Sequence, residues 1–160
     1  MTTTNEVLFP KATNLEFEFC EDWPMISLQS LCIFIDIARI VRITISGIPP
    51  KTSTEDLSTD IASFLERADH LSSLIIDFPM SNQFYSNLPR SIEHLEISID
   101  DLNQIPVILQ RCSNLSTIKF CHLEYSLIKK ILNWFTIHTI DSTSYQTYRK
   151  VFVWLGKINI

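Results

Sequence analysis

The chain has 160 residues, 46% of them apolar, enough for one domain with a continuous buried core. Its net charge of −5 argues against a broad phosphate-binding surface, which needs a basic stripe, so nucleic acid is not an expected partner. With Gly47 and Gly156 as its only glycines, it cannot assemble a dinucleotide loop, a P-loop or a nucleophile elbow, each of which needs several.

Residues 1–11 are polar, end in Phe9-Pro10-Lys11 and lack the basic and apolar regions of a secretory leader, so an N-terminal tail or junction is expected there. A first strand is predicted over 12–19, where Leu15, Phe17 and Phe19 point one way and Glu16 and Glu18 the other. Glu21-Asp22-Trp23-Pro24 has the acidic residues and proline of a helix start, and Leu28, Leu31, Cys32 and Ile35 continue at helical spacing. This helix should lie outside the sheet. The segment 26–45 is strongly apolar, but Asp36, Arg39 and Arg42 interrupt it, so no membrane span is expected.

A second strand is predicted over 39–45, ended by Gly47-Ile-Pro-Pro50, and Thr52-Ser-Thr-Glu55 resembles a capping box that opens a helix over 55–68. That helix carries Leu57, Ile61, Phe64, Leu65 and Ala68 as one apolar stripe. A third strand follows over 71–78, then a loop or single short turn between 79 and 91, where two prolines interrupt any period. The fourth strand is 92–99. Asp100-Asp101 is then expected to cap a helix bearing Leu102, Ile105, Ile108, Leu109 and Cys112, with Pro106 confined to about its first turn. The fifth strand, 115–121, leads to a helix with Leu127, Ile131, Leu132 and Phe135 inward and Lys129 and Lys130 outward. The polar stretch 138–146 reads as a loop, 148–154 as the last strand, and 156–160 as a tail.

Within these elements one pattern returns: Ala12-x-x-Leu15-x-Phe17, Ala38-x-x-Val41-x-Ile43, Leu71-x-x-Leu74-x-Ile76, Ile92-x-x-Leu95-x-Ile97, Leu115-x-x-Ile118-x-Phe120 and Tyr148-x-x-Val151-x-Val153. Their first positions lie 26, 33, 21, 23 and 33 residues apart. Leucine-rich repeats run about 20–29 residues, and the longer gaps would be insertions on the outer face. A short strand that cannot bury its apolar side alone implies stacked neighbours. The expected fold is therefore an α/β leucine-rich-repeat solenoid over 12–155, with a parallel concave sheet of about six strands and helices or loops outside.

The segments Leu71-Ser-Ser-Leu-Ile-Ile, Leu88-Pro-Arg-Ser-Ile-Glu-His-Leu-Glu-Ile and Cys112-Ser-Asn-Leu-Ser-Thr-Ile-Lys-Phe resemble the ribonuclease-inhibitor-like leucine-rich repeats at the carboxyl ends of F-box proteins. Three residues after the third motif hydrophobe, where that family often has asparagine or cysteine, stand Cys20, Ser46, Pro79, Asp100, Leu123 and Gly156. The resemblance implies a protein-binding region, the substrate-binding part of a ubiquitin-ligase receptor. A ligase adaptor is an expected partner only if an F-box lies upstream. A freestanding scaffold or inhibitor module is the alternative.

On a sheet of this kind the outward strand positions form the docking surface. They place Glu16, Glu18, Arg42, Ile75, Asp77, Glu96, Lys119, Phe152 and Trp154 on one face, with Glu16 beside Arg42 and Glu96 beside Lys119. The plainer account of the charge pairs is that they only register and solubilise the sheet. Exposed aromatics favour binding hot spots.

Chemistry is not expected. The four cysteines, Cys20, Cys32, Cys112 and Cys121, form no Cys-x-x-Cys pair and read as buried thiols of a reducing compartment, cytoplasmic or nuclear. His94 near Glu93 and Glu96 offers too few ligands for a metal, and no cofactor is implied. A thiol-dependent enzyme using Cys121 and His122 is the remaining catalytic alternative.

Overall fold

A computed structural model describes residues 8–19, 28–47, 54–139 and 141–156. Its centre is one seven-stranded sheet: β1 (Asn14–Phe19), β2 (Arg42–Gly47), β3 (Ser73–Pro79), β4 (His94–Ser98), β5 (Thr117–Phe120), β6 (Ser142–Thr147) and β7 (Lys150–Leu155), ordered β1-β2-β3-β4-β5-β7-β6. The first five run parallel, and β7 and β6 close one end as an antiparallel hairpin.

The apolar motif sets the register. Leu15, Ile43, Leu74, Leu95 and Ile118 pair in turn across the five parallel strands, and Val153 continues the row on β7. Successive side chains of a strand point to opposite faces, so this row and the next, including Phe17, Ile45, Ile76, Ile97 and Phe120, face one core. A second regularity lies at the entry to each strand. The carbonyl of Thr13 accepts the N–H groups of Val41 and Arg42, that of Val41 those of Ser72 and Ser73, that of Ser72 those of Glu93 and His94, and that of Glu93 those of Ser116 and Thr117. Thr13, Ser72 and Glu93 each directly follow a motif's first position and Val41 directly follows Ile40, so one main-chain joint recurs from strand to strand.

Four helices contribute to the core behind the sheet: α1 (Thr54–Leu65), α2 (Asn82–Ser86), α3 (Gln104–Arg111) and α4 (Tyr125–His138). The expected short turn between 79 and 91 is α2, capped by Ser81, whose Oγ accepts the Phe84 N–H at 3.3 Å. Pro106 is the third residue of α3, inside its first turn, where its missing N–H costs no helical bond. Asp100 and Asp101 do not cap α3 directly. Instead the buried Gln104 amide donates to Asp100 and Asn82 at 2.8 and 2.9 Å, tying α3 to α2. The buried Tyr85 hydroxyl accepts the Met80 N–H at 3.2 Å and donates to the Ser98 carbonyl at 2.8 Å. Burial, with Asp100's charge, pushes its pKa up to about 12 against the opposing Met80 bond.

Several expectations are corrected. The sheet is not six parallel strands, because the strand predicted over 148–154 runs antiparallel, and its motif is no sixth parallel copy. The stretch 138–146 is not a loop but the end of α4 followed by most of β6. In place of one helix through Ile35 there are two 3-10 turns, Leu28–Ile33 and Ile37–Arg39, while Glu21 to Pro24 and the Thr52 cap lie outside the described residues. Finally, Arg42 pairs with Asn14 and Ser73, and Glu16 pairs with Thr44, so Glu16 and Arg42 are not direct neighbours. The second motif copy is properly Ile40-x-x-Ile43-x-Ile45, all three fully buried, whereas Val41 is exposed.

Tyr85→Phe should lower unfolding free energy by about 2–3 kcal/mol, because it leaves the Met80 N–H and the Ser98 carbonyl without that partner in a buried place. Urea denaturation measures this, and a loss below about 0.5 kcal/mol would remove the hydroxyl from the account of stability.

Candidate functional site

Among the described residues, the helices cover one face of the sheet and leave the other open. All nine predicted surface residues stand on it: Glu16 and Glu18 on β1, Arg42 on β2, Ile75 and Asp77 on β3, Glu96 on β4, Lys119 on β5, and Phe152 and Trp154 on β7. Glu16, Glu18, Arg42 and Trp154 are exposed and the others half-buried. They do not form one cluster. Glu16, Thr44, Ile75, Glu96, Lys119, Phe152 and Tyr145 make one continuous cross-sheet row, and the register shift between β3 and β4 falls beyond it, between Ile75 and Pro79. Asp77 turns toward the scaffold, its Oδ2 accepting a long 3.5 Å bond from the Gly47 N–H.

The structured part of the face lies where β4, β5 and the hairpin meet. Glu96 and Lys119 pair as anticipated, with Lys119 Nζ 2.6 Å from Glu96 Oε1. The same ammonium sits 5.1 Å from the centre of the Phe152 ring, within range of a cation–π attraction. Phe152 stacks against Trp154 at 6.4 Å and meets Tyr145 at 6.1 Å. Trp154 is 47% and Tyr145 58% exposed, so an aromatic group borders the ion pair at the surface. Beside it, His94 Nδ1 lies 2.8 Å from Thr117 Oγ1, and Thr117 pairs with Trp154.

Burial raises the Glu96 pKa, but the bond from Lys119, the bond from the Cys121 thiol and the charges of Lys119 and Lys150 outweigh it and leave the carboxyl below its ordinary 4.5. Cys121 Sγ donates to Glu96 Oε1 at 3.1 Å. The thiol is 1% exposed, and its pKa is pushed up to about 12, first by burial and then by Glu96. A nucleophilic cysteine needs exposure and a lowered pKa, so Cys121 is a core thiol that braces the carboxylate. Cys112 is held similarly, raised to about 12 by burial against Arg111's opposing charge.

Tyr145 was not among the anticipated residues, because its strand lacks apolar alternation and its turn, Tyr148-Arg149, contains no glycine or asparagine. Arg149 takes the left-handed φ of 56° itself, held by a bond from the Leu123 N–H to its carbonyl at 3.1 Å. The hairpin tip and the first turn of α4 also bound a shallow cleft of about 600 Å³, lined by Leu123, Tyr125, Ile128, Tyr148 and Arg149 among others.

Among the described residues no group of three or more His, Cys, Asp or Glu could hold a metal ion, and no helix is long and apolar enough to cross a membrane. Compared with protein-family models, curated proteins and solved structures, the chain matches none.

A thiol reagent under native conditions should label the half-buried Cys32 before Cys112 and Cys121. Peptide mass spectrometry reads the order, and early labelling of Cys121 would restore it as a reactive group. The lowered Glu96 pKa stabilises the fold above the ordinary 4.5, and that contribution fades as pH falls through the folded-state value. Wild type and Glu96→Gln should therefore differ in urea midpoint at neutral pH, with the gap shrinking as acid carries the solution below the ordinary 4.5 and on through the lowered folded-state value, whereas a gap that stays constant through acid would deny the shift.

Proposed function

We propose that the chain is a protein-interaction module, a leucine-rich-repeat solenoid whose open sheet face receives a protein partner. Five parallel copies of the motif, starting at Ala12, Ile40, Leu71, Ile92 and Leu115, support the repeat assignment, as does the carbonyl joint that recurs with them. The observation that carries the binding role is the group of exposed Tyr145 and Trp154 around half-buried Phe152, beside the Glu96–Lys119 pair. Aromatic anchors supply affinity and fixed charges supply selectivity, so this combination suits docking of a partner with an apolar segment flanked by charge. The mechanism is rigid display, with no chemical step.

Within that role we propose the substrate-binding repeat region of an F-box-like ubiquitin-ligase receptor, on the resemblance of the segments around Leu71, Leu95 and Ile118. Adaptor recruitment would then depend on an F-box upstream of these residues.

Trp154→Ala should weaken partner binding at least about tenfold, roughly 1.4 kcal/mol, while moving the melting temperature by only about 2 °C. Affinity purification with the chain and with an upstream-extended form identifies the partner, and calorimetry measures the loss. An adaptor recovered only with the extended form supports the receptor role; partners without an adaptor in either form assign a scaffold. Unchanged affinity in the Trp154 variant would move the docking site off this face.

A further inference from the structure

The outer edge of β6 ends the sheet, with no strand beyond it among the described residues. The Gly156 N–H donates to the Asp141 carbonyl at 3.0 Å, which marks Asp141 and Gly156 as a hydrogen-bonded pair. Bonded and non-bonded pairs alternate along an antiparallel ladder. Thr143, Tyr145 and Thr147 therefore bond inward to β7, and the N–H and C=O groups of Ser142, Ser144 and Gln146 point out of the edge.

Native sheets commonly blunt such edges with charge, proline or a bulge. β6 has none of these. It reads Ser-Thr-Ser-Tyr-Gln-Thr, and its pairing with β7 runs without a shift from Ser142 to Thr147. The opposite edge strand, β1, carries Glu16 and Glu18, which would meet like charges in a second copy. On a chain of net charge −5, β6 is the edge where two copies can approach without juxtaposed carboxylates on the pairing strands.

We infer that β6 pairs antiparallel with β6 of a second copy, about a two-fold axis through Ser144. In this register Ser144 faces its own counterpart, Ser142 faces Gln146, and Thr143 faces Tyr145. Every outward N–H of Ser142, Ser144 and Gln146 then meets an outward C=O of the same set, so the pairing is complete and self-complementary. A register centred on Tyr145 leaves the Ser142 groups outside the Ser144–Gln146 pairing. Thr143 meeting Tyr145 brings the two aromatic groups toward one continuous face. The inference stands apart from the docking role, because it uses the edge and not the face.

An edge of this length buries less than a standard interface, so association is expected at roughly 10 µM to 1 mM. Light scattering and sedimentation across that range should show mass rising from the 18.5 kDa chain toward twice that value. Added salt should tighten association by screening two negatively charged chains. Ser144→Lys sets like charges opposite each other on the axis, and Ser144→Pro removes an outward donor; both should remain monomeric throughout with unchanged circular dichroism. Oxidised Ser144→Cys should form a covalent dimer, which keeps a readout if the proline variant misfolds. A chain monomeric at about 1 mM, or a dimer undiminished in Ser144→Lys, overturns the inference. Weakening by salt would also overturn it and point to charge pairing on the open face. Retention of partner binding by Ser144→Lys separates this edge from the Trp154 surface.

Discussion

The recurring joint at the strand entries is the constraint on which the rest depends. One carbonyl, one residue past each motif's first hydrophobe, receives two successive N–H groups from the next segment. That bond fixes where each strand begins relative to its neighbour. A register slip of one residue would turn Leu74, Leu95 and Ile118 out of the core and put Ile75, Glu96 and Lys119 into it. Burial of the apolar row and formation of the joint therefore select the same register. Their agreement lets connections of different length lie behind an orderly sheet: the motifs start 28, 31, 21 and 23 residues apart, yet the paired positions remain Leu15, Ile43, Leu74, Leu95 and Ile118.

The carboxyl-terminal hairpin changes this scheme without interrupting the core. β7 reverses direction, but Val151 and Val153 still fall opposite Phe120 and Ile118, so the apolar face continues. Reversal also sets Phe152 opposite Lys119 and Trp154 opposite Thr117. The aromatic group is thus a product of antiparallel pairing, and a further parallel rung would have arranged its side chains differently. The Ser116 carbonyl accepts the Leu155 N–H at 2.8 Å, so the carbonyl one residue past the fifth motif's first hydrophobe bonds the last residue of β7 as the antiparallel ladder continues.

Much of this was legible in residue order, and the failures have definite causes. The alternation in Leu15, Phe17 and Phe19 and the repeats around Leu74, Leu95 and Ile118 located four parallel strands and their inner face. At the second strand two readings competed. Ala38, Val41 and Ile43 matched the pattern, but Ile40, Ile43 and Ile45 match it with larger side chains, and the deeper burial of that set decides the register. The misplaced ion pair of Glu16 with Arg42 followed from that two-residue slip. β6 was invisible to periodicity because its stability comes from main-chain pairing with β7 and not from buried side chains: five of its six residues are exposed. The candidate face was legible because alternation assigns faces without knowledge of strand direction. Its grouping around Lys119 was not, since that depends on the turn at Tyr148-Arg149 and on Arg149 accepting a left-handed backbone.

Lys119 favours this end of the face over the dispersed charges at the other for the proposed docking role. Its ammonium engages Glu96 on β4 and Phe152 on β7, while its own strand is β5, so one side chain joins three adjacent strands. Glu96 is braced by the Cys121 thiol, and Phe152 is flanked by Tyr145 and Trp154. A long lysine left free would lose rotamer freedom on contact with a partner. Here much of that freedom is already restricted in the folded chain, as is the placement of the rings beside it. Association then costs less entropy than it would at a mobile surface, so a small contact area can support selective binding. The restriction lasts while Glu96 is ionised, which links the geometry of the aromatic group to the charge of a single carboxylate.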